Sequence, residues 1–190
     1  HLLVGHLQRL QRRHGLIRTV VALAQQFIDP ALQPGLRLQR WCQQQQAQLD
    51  YRALVEAADA GKPEDAAKLA ATLRSDHAKS AYASLSSLRD AADAMKRGDL
   101  DAAAAALEWS HANSSFPALK ELAALRLGQV RLAQGKADEA LRLAGEAGVG
   151  GFKGLAAELR GDALLALDRG VDARAAYEEA LASLDAGAPQ

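Results

Sequence analysis

Stretches rich in alanine and leucine alternate with short polar turns along most of the chain. Alanine and leucine are the strongest helix formers, whereas valine, isoleucine and aromatic residues, which favour strands, are scarce. The pattern therefore predicts an all-α fold without a sheet. The predicted helices span residues 44–60, 64–74, 79–97, 101–111, 117–134, 138–146, 152–167 and 171–184.

Four of the polar turns resemble one another. They begin at Gly61, Gly98, Gly135 and Asp168, which lie 37, 37 and 33 residues apart. Glycine suits the left-handed backbone position that ends a helix, and the acidic residues that follow suit the start of the next helix. In the fourth turn an aspartate replaces the glycine, so we expect a slightly altered turn there.

A period of about 34 residues made of helix, turn and helix is typical of tetratricopeptide repeats. We therefore predict a tetratricopeptide-like helical-hairpin solenoid of about four units. In the third and fourth units, Gly128 and Gly161 lie seven residues before the turn. A glycine inside a helix costs about 1 kcal/mol relative to alanine, so we expect each to allow close contact with a neighbouring helix. The first two units match the repeat only through their second halves.

The N-terminal segment differs from the rest in charge. Residues 1–45 contain six arginines and one acidic residue, whereas the whole chain has a formal net charge of zero. An apolar stretch at 16–28 is interrupted by polar residues and is too short for a clean membrane span. Three interpretations remain open: an altered membrane anchor, an amphipathic helix on the repeats or a membrane, and a disordered basic arm. We divide the chain into this segment (1–43), the repeat domain (44–185) and a flexible tail (186–190).

The chain shows no pattern of catalytic, cofactor-binding or metal-binding residues. Its five histidines and Cys42 have no metal-ligand spacing, and Ser84, Ser86 and Ser87 lack a nucleophile turn. The repeat domain has no basic stripe, which argues against nucleic acid as a partner. We interpret Trp109 and Tyr177 as core residues. An enzyme is therefore not expected.

A stack of helix pairs presents a groove lined by the first helix of each pair. In the third unit we expect Leu122, Arg126, Gln129 and Leu132 to line this groove, and in the fourth unit Glu158, Asp162 and Leu165. These side chains are mixed in charge, and a cationic clamp for a peptide carboxylate is not evident. The prediction is therefore a groove for an apolar or mixed peptide.

Several blocks of the sequence resemble one bacterial family. In chain order they are Leu-Ile-Arg-Thr-Val-Val-Ala-Leu-Ala at 16–24, Arg-Trp at 40–41, Gly-Asp-Leu-Asp-Ala-Ala-Ala-Ala at 98–105, Leu-Arg-Leu-Gly-Gln-Val-Arg-Leu-Ala-Gln-Gly at 125–135 and Ala-Glu-Leu-Arg-Gly-Asp-Ala-Leu-Leu at 157–165. Over residues 10–184 the chain is similar to the YfgM family, the ancillary subunit of the SecYEG translocon. The chain departs from the family at 25–34, where polar residues and prolines interrupt the apolar span.

The resemblance implies a single-pass protein of the bacterial inner membrane with its repeat domain in the periplasm. It also implies protein partners: the translocon, a PpiD-like chaperone and unfolded secretory clients. The expected function is a non-catalytic scaffold that links protein export to periplasmic chaperones. The alternative is a soluble or self-associating repeat adaptor of another pathway, so we also consider a homo-oligomer.

Overall fold

The computed structural model describes residues 34–148 and 150–185 of the chain. Each of the eight predicted helices has a counterpart in this part, which contains no strand, so the all-α prediction is confirmed. The helices are α1 (Pro34–Asp59), α2 (Pro63–Asp76), α3 (Ala81–Lys96), α4 (Leu100–Asn113), α5 (Pro117–Ala133), α6 (Ala137–Ala147), α7 (Lys153–Ala166) and α8 (Gly170–Asp185).

Helix α1 begins well before its predicted start at residue 44. Its first residue is Pro34, and proline suits this position because its fixed φ angle matches the helix and its missing N–H is not needed there. The predicted domain boundary after residue 43 therefore falls inside α1. Among the described residues, the division between two compact units falls inside α1, between Leu49 and Asp50.

Most of the N-terminal segment lies outside the described residues, and so does the predicted tail at 186–190. The alternatives of an anchor, an amphipathic helix and a basic arm therefore stay open. Within residues 34–148 and 150–185, none of the helices combines the length and apolar character needed to cross a membrane.

The four turns close with the same pair of backbone hydrogen bonds. At the third turn, Gly135 N donates to Leu132 O at 2.9 Å and Lys136 N donates to Arg131 O at 2.8 Å. This pattern is a Schellman motif, which requires a left-handed residue at the end of the helix. Asp168 adopts this conformation with a φ of 58°, and the fourth turn has the equivalent two bonds. The prediction of an altered fourth turn is therefore wrong.

The helix pairs stack in the order of the sequence. Helices α3 and α4, α5 and α6, and α7 and α8 pack as pairs, and the second helix of a pair packs on the first helix of the next. The first helices also touch one another, α3 on α5 and α5 on α7. One buried core runs from α3 to α7, and its largest fully buried side chains are Leu107, Leu125, Leu143 and Leu159.

The two mid-helix glycines lie at close helix contacts, as predicted. A Cβ atom at Gly128 would lie 2.5 Å from Cδ2 of Leu159, and one at Gly161 would lie 2.6 Å from Cδ1 of Tyr177. Neither position has room for a larger side chain without movement of its neighbour. Gly128 thus fixes the approach of α5 to α7, and Gly161 the approach of α7 to α8.

Candidate protein-binding face

Three neighbouring first helices, α3, α5 and α7, have corresponding side chains in three rows. Each row is counted back from the residue that opens the next turn, which is Gly98, Gly135 or Asp168. The first outer row lies three residues before that point and consists of Met95, Leu132 and Leu165. The middle row lies six residues before it and consists of Ala92, Gln129 and Asp162. The second outer row lies thirteen residues before it and consists of Leu85, Leu122 and Leu155. We call these nine residues the first-helix face.

The two outer rows of the first-helix face are apolar and partly exposed. Met95 is 42% exposed, Leu165 is 58% exposed, and Leu132 is half-buried at the same register. Leu155 in the other outer row is 49% exposed. Because α3 packs on α5 and α5 on α7, each row continues from helix to helix. Apolar side chains that stay exposed in adjacent positions are typical of interaction surfaces.

The middle row is more polar and is linked to its surroundings by hydrogen bonds. Arg126 Nη1 donates to Oε1 of Gln129 at 3.0 Å, and the Tyr177 hydroxyl donates to Oδ1 of Asp162 at 2.8 Å. These bonds orient the exposed amide and carboxylate between the two apolar rows. A partner can therefore bind both apolar rows and meet polar groups between them.

The hydrogen bond to Asp162 also changes the acidity of Tyr177. The bond to the carboxylate, partial desolvation of the phenol, and the negative charges of Asp162 and Glu158 raise the pKa of Tyr177 to about 12. Each cause favours the neutral phenol over the phenolate. Tyr177 is half-buried against Gly161 and packs on a small core with Leu164 and Ala173. Its hydroxyl therefore remains a hydrogen-bond donor at neutral pH.

Five of the seven groove residues predicted from sequence belong to the first-helix face. They are Leu122, Gln129, Leu132, Asp162 and Leu165. Arg126 and Glu158 are exposed but lie outside the three rows, where Arg126 bonds Gln129 and the charge of Glu158 acts on Tyr177. Their part in binding a partner stays a prediction.

The sequence-based prediction left out four residues of this face. They are Leu85, Ala92, Met95 and Leu155. The first three lie on α3, whose unit was matched to the repeat only through its second half. Counting back from Gly98 identifies the first three and counting back from Asp168 identifies Leu155, because the turns and the rows share the same intervals of 37 and 33 residues.

A separate cleft of about 950 Å³ lies among helices α1 to α4. Its wall includes alanines of α2 and α4 and the half-buried Trp109, whose interpretation as a core residue stays a prediction. At its rim Arg74 pairs with Asp90, and Arg89 Nη2 lies 3.2 Å from Oδ1 of Asp59. Because these charges are paired with one another, the rim does not form a simple anion site.

The described residues contain no group of three or more histidine, cysteine, aspartate or glutamate side chains that could hold a metal ion. Cys42 is exposed on α1 and is not in a disulfide.

Comparison with known proteins agrees with the fold and with the repeat. A model of the tetratricopeptide repeat-like domain matches residues 37–190. A search among curated proteins finds no match. The matched range includes all of α2 to α8 and most of α1, and hence the whole first-helix face. The chain therefore belongs to the tetratricopeptide repeat-like domain family.

Proposed function

We propose that the chain is a non-catalytic scaffold that binds a segment of a partner protein along the first-helix face. The observation that carries this proposal is the row of Met95, Leu132 and Leu165, which stays partly exposed across three packed helices. Family membership supports it, because tetratricopeptide-like domains typically act as protein-interaction modules. Stacked repeats also use this surface for binding, because it forms the extended concave side of the stack.

The spacing of the face defines the kind of segment that fits it. Packed helices lie about 8–10 Å apart, so neighbouring side chains of one row are separated by roughly that distance. Side chains two turns apart on an α-helix, or three residues apart in a polyproline II segment, lie on the same side and repeat at about 9–11 Å. The two apolar rows are ten residues apart, or about 15 Å along each helix. A partner segment with an apolar residue at every third or seventh position therefore matches one row.

The partners that we propose belong to bacterial protein export. The blocks at 125–135 and 157–165, which resemble the YfgM family, support this assignment, and both lie in the helices that build the face. In this proposal the N-terminal segment holds the chain at the inner membrane and the repeat domain lies in the periplasm. The partners are then the translocon, a PpiD-like chaperone and unfolded secretory clients.

Co-purification from bacterial membranes tests this proposal. The full chain is given the uninterrupted apolar span of the YfgM family. It is expressed as wild type, as Met95→Asp/Leu165→Asp, and as Phe116→Asp. Phe116 is a matched control because it is 40% exposed but lies outside the three rows. We expect translocon and chaperone subunits to co-purify with the wild type and the control, and at least tenfold less with the double variant.

Two results would test the proposed binding surface and the proposed export pathway separately. If the double variant binds export proteins as well as the wild type does, the first-helix face is not the binding surface. If none of the three chains retains export proteins, the export pathway is wrong. The chain is then an adaptor of another pathway.

A further inference from the structure

Helix α8 has a stripe of exposed side chains that runs along its outer side. Val171 is 87% exposed and Leu181 is 63% exposed. Between them lie Arg174 and Glu178, whose side chains are 83% and 64% exposed. The four residues are spaced three, four and three apart, which is the spacing of a coiled-coil seam. We call them the α8 stripe.

Part of this stripe matches the side of α6 that the next helix pair covers in the preceding unit. Leu141 of α6 and Gly148, which follows the end of α6, lie 33 residues before Arg174 and Leu181, the same interval that separates Gly135 from Asp168. Leu141 packs on the small core of α7 and α8, and a Cβ atom at Gly148 would lie 3.6 Å from Cβ of Ala156 in α7. At α8 the equivalent positions are exposed.

We propose that the α8 stripe binds the α8 stripe of a second copy of this chain in an antiparallel pair. The stripe is symmetric about residue 176, with an apolar residue five positions to each side and a charged residue two positions to each side. In an antiparallel helix pair centred there, Val171 of one copy lies opposite Leu181 of the other. Arg174 likewise lies opposite Glu178.

Charge complementarity favours a second copy of the chain, bound antiparallel, as the partner of the α8 stripe. Within one chain, Arg174 Nε lies 3.0 Å from Oε1 of Glu178. In the antiparallel pair, two arginines and two glutamates alternate in sign at the centre, so each charge has an oppositely charged neighbour on both chains. Like charges do not face one another in this arrangement. In a parallel pair, by contrast, each residue faces its own counterpart.

The association is weak, because only two apolar side chains of each copy become buried and the central charges are partly dehydrated. Sedimentation measurements on the full chain should therefore extend to about 1 mM, so that a dissociation constant in the millimolar range is detected. We expect the average mass of the wild type to rise towards that of a dimer over this range.

Charge reversal distinguishes pairing between copies from pairing within one helix. Arg174→Glu makes the centre wholly negative, and Glu178→Arg makes it wholly positive, so each variant alone should remain monomeric. A one-to-one mixture of the two should associate again, at least tenfold more tightly than either variant alone. In this mixture neither chain has an ion pair within α8, so any recovery comes from contacts between the chains.

A matched control is the exposed pair of Arg52 and Glu56 on α1, which has the same spacing and a distance of 2.9 Å. Reversing either of these charges should leave association unchanged. The proposal is overturned if the wild type stays monomeric throughout, which assigns the stripe to a different partner. It is also overturned if the single α8 variants associate like the wild type, or if their mixture stays monomeric.

Discussion

The aromatic ring of Tyr177 on α8 packs directly on the backbone of Gly161 on α7, and its hydroxyl donates a hydrogen bond to the next residue, Asp162. A Cβ atom at position 161 would lie 2.6 Å from Cδ1 of the ring. One tyrosine therefore sets both the distance between the helices of the last pair and the orientation of a carboxylate on the first-helix face.

Replacing Gly161 should destabilise the protein through overpacking. Overpacking costs about 1–3 kcal/mol and occasionally more, whereas alanine gains about 1 kcal/mol of helix propensity over glycine. We expect Gly161→Ala to lower the free energy of unfolding by roughly 1 kcal/mol, and Gly161→Leu by about 3 kcal/mol or more. Urea denaturation followed by circular dichroism measures both. An unchanged midpoint for the leucine variant would contradict the contact.

Combining Gly161→Ala with a smaller residue at position 177 tests whether the Tyr177 ring causes the loss of stability. If the Tyr177 ring is the obstacle, Gly161→Ala should cost less in a Tyr177→Leu background than in the wild type. Equal costs in both backgrounds would mean that another neighbour opposes the added methyl group.

The fourth turn should become more stable with its glycine restored. A residue other than glycine in the left-handed conformation costs about 1 kcal/mol or more, and Asp168 is in this conformation. We expect Asp168→Gly to raise the free energy of unfolding by about 0.5–1 kcal/mol, because the added flexibility of the unfolded chain offsets part of the gain. Gly135→Ala, at a φ of 76°, should have the opposite sign. A loss of stability in Asp168→Gly would show that the aspartate side chain stabilises the turn.

The turns illustrate what the sequence could predict. A glycine followed by acidic residues marks the end of one helix and the start of the next by local chemistry alone, so the helix boundaries at Gly61, Gly98 and Gly135 were predicted. The altered turn predicted at Asp168 was wrong, because the hydrogen bonds of the turn, and not the residue type, determine its conformation. The start of α1 was also missed, although Pro34 is suited to that position.

The first-helix face was only half predictable, because exposure depends on how helices pack. Leu132 and Leu165 followed from the clear repeats, whereas Met95 lies in a unit whose first helix departs from the repeat pattern. The burial of Trp109 also depends on how the helices pack. Its size suggested the core, but the packing of the first two helix pairs leaves it at the wall of a cleft.

Four buried serines on α3 and α4 provide a test of the core. The hydroxyls of Ser84, Ser86, Ser87 and Ser110 have no hydrogen-bond partner within the described part of the chain. A buried hydroxyl without a partner costs about 1–3 kcal/mol, and alanine is also the better helix former. We expect Ser86→Ala and Ser87→Ala each to raise the melting temperature. An exposed control such as Ser75→Ala should have little effect, and a lower melting temperature in the buried variants would indicate a hidden hydrogen bond.

The acidity of Tyr177 predicts a pH dependence at the alkaline end. Its folded pKa of about 12 lies above the ordinary value of 10.0, so the neutral phenol stabilises the fold. This contribution is fully present below pH 10 and is lost as the pH rises through about 12. In an absorbance titration of the phenolate, we expect the Tyr177 phenol to ionise at about pH 12, and Asp162→Asn to move its pKa towards the ordinary value of 10.0. A wild-type curve that matches that of Asp162→Asn would contradict the hydrogen bond.

The most direct test of the central claim is site-specific photocrosslinking of the full chain in bacterial cells. A photoreactive amino acid is placed at Met95 or Leu165 on the first-helix face, or at Arg142 on α6, whose side chain is 62% exposed. The scaffold proposal predicts crosslinks to an export or chaperone subunit from positions 95 and 165 and none from position 142. Equal crosslinking from position 142, or none from positions 95 and 165, would contradict it.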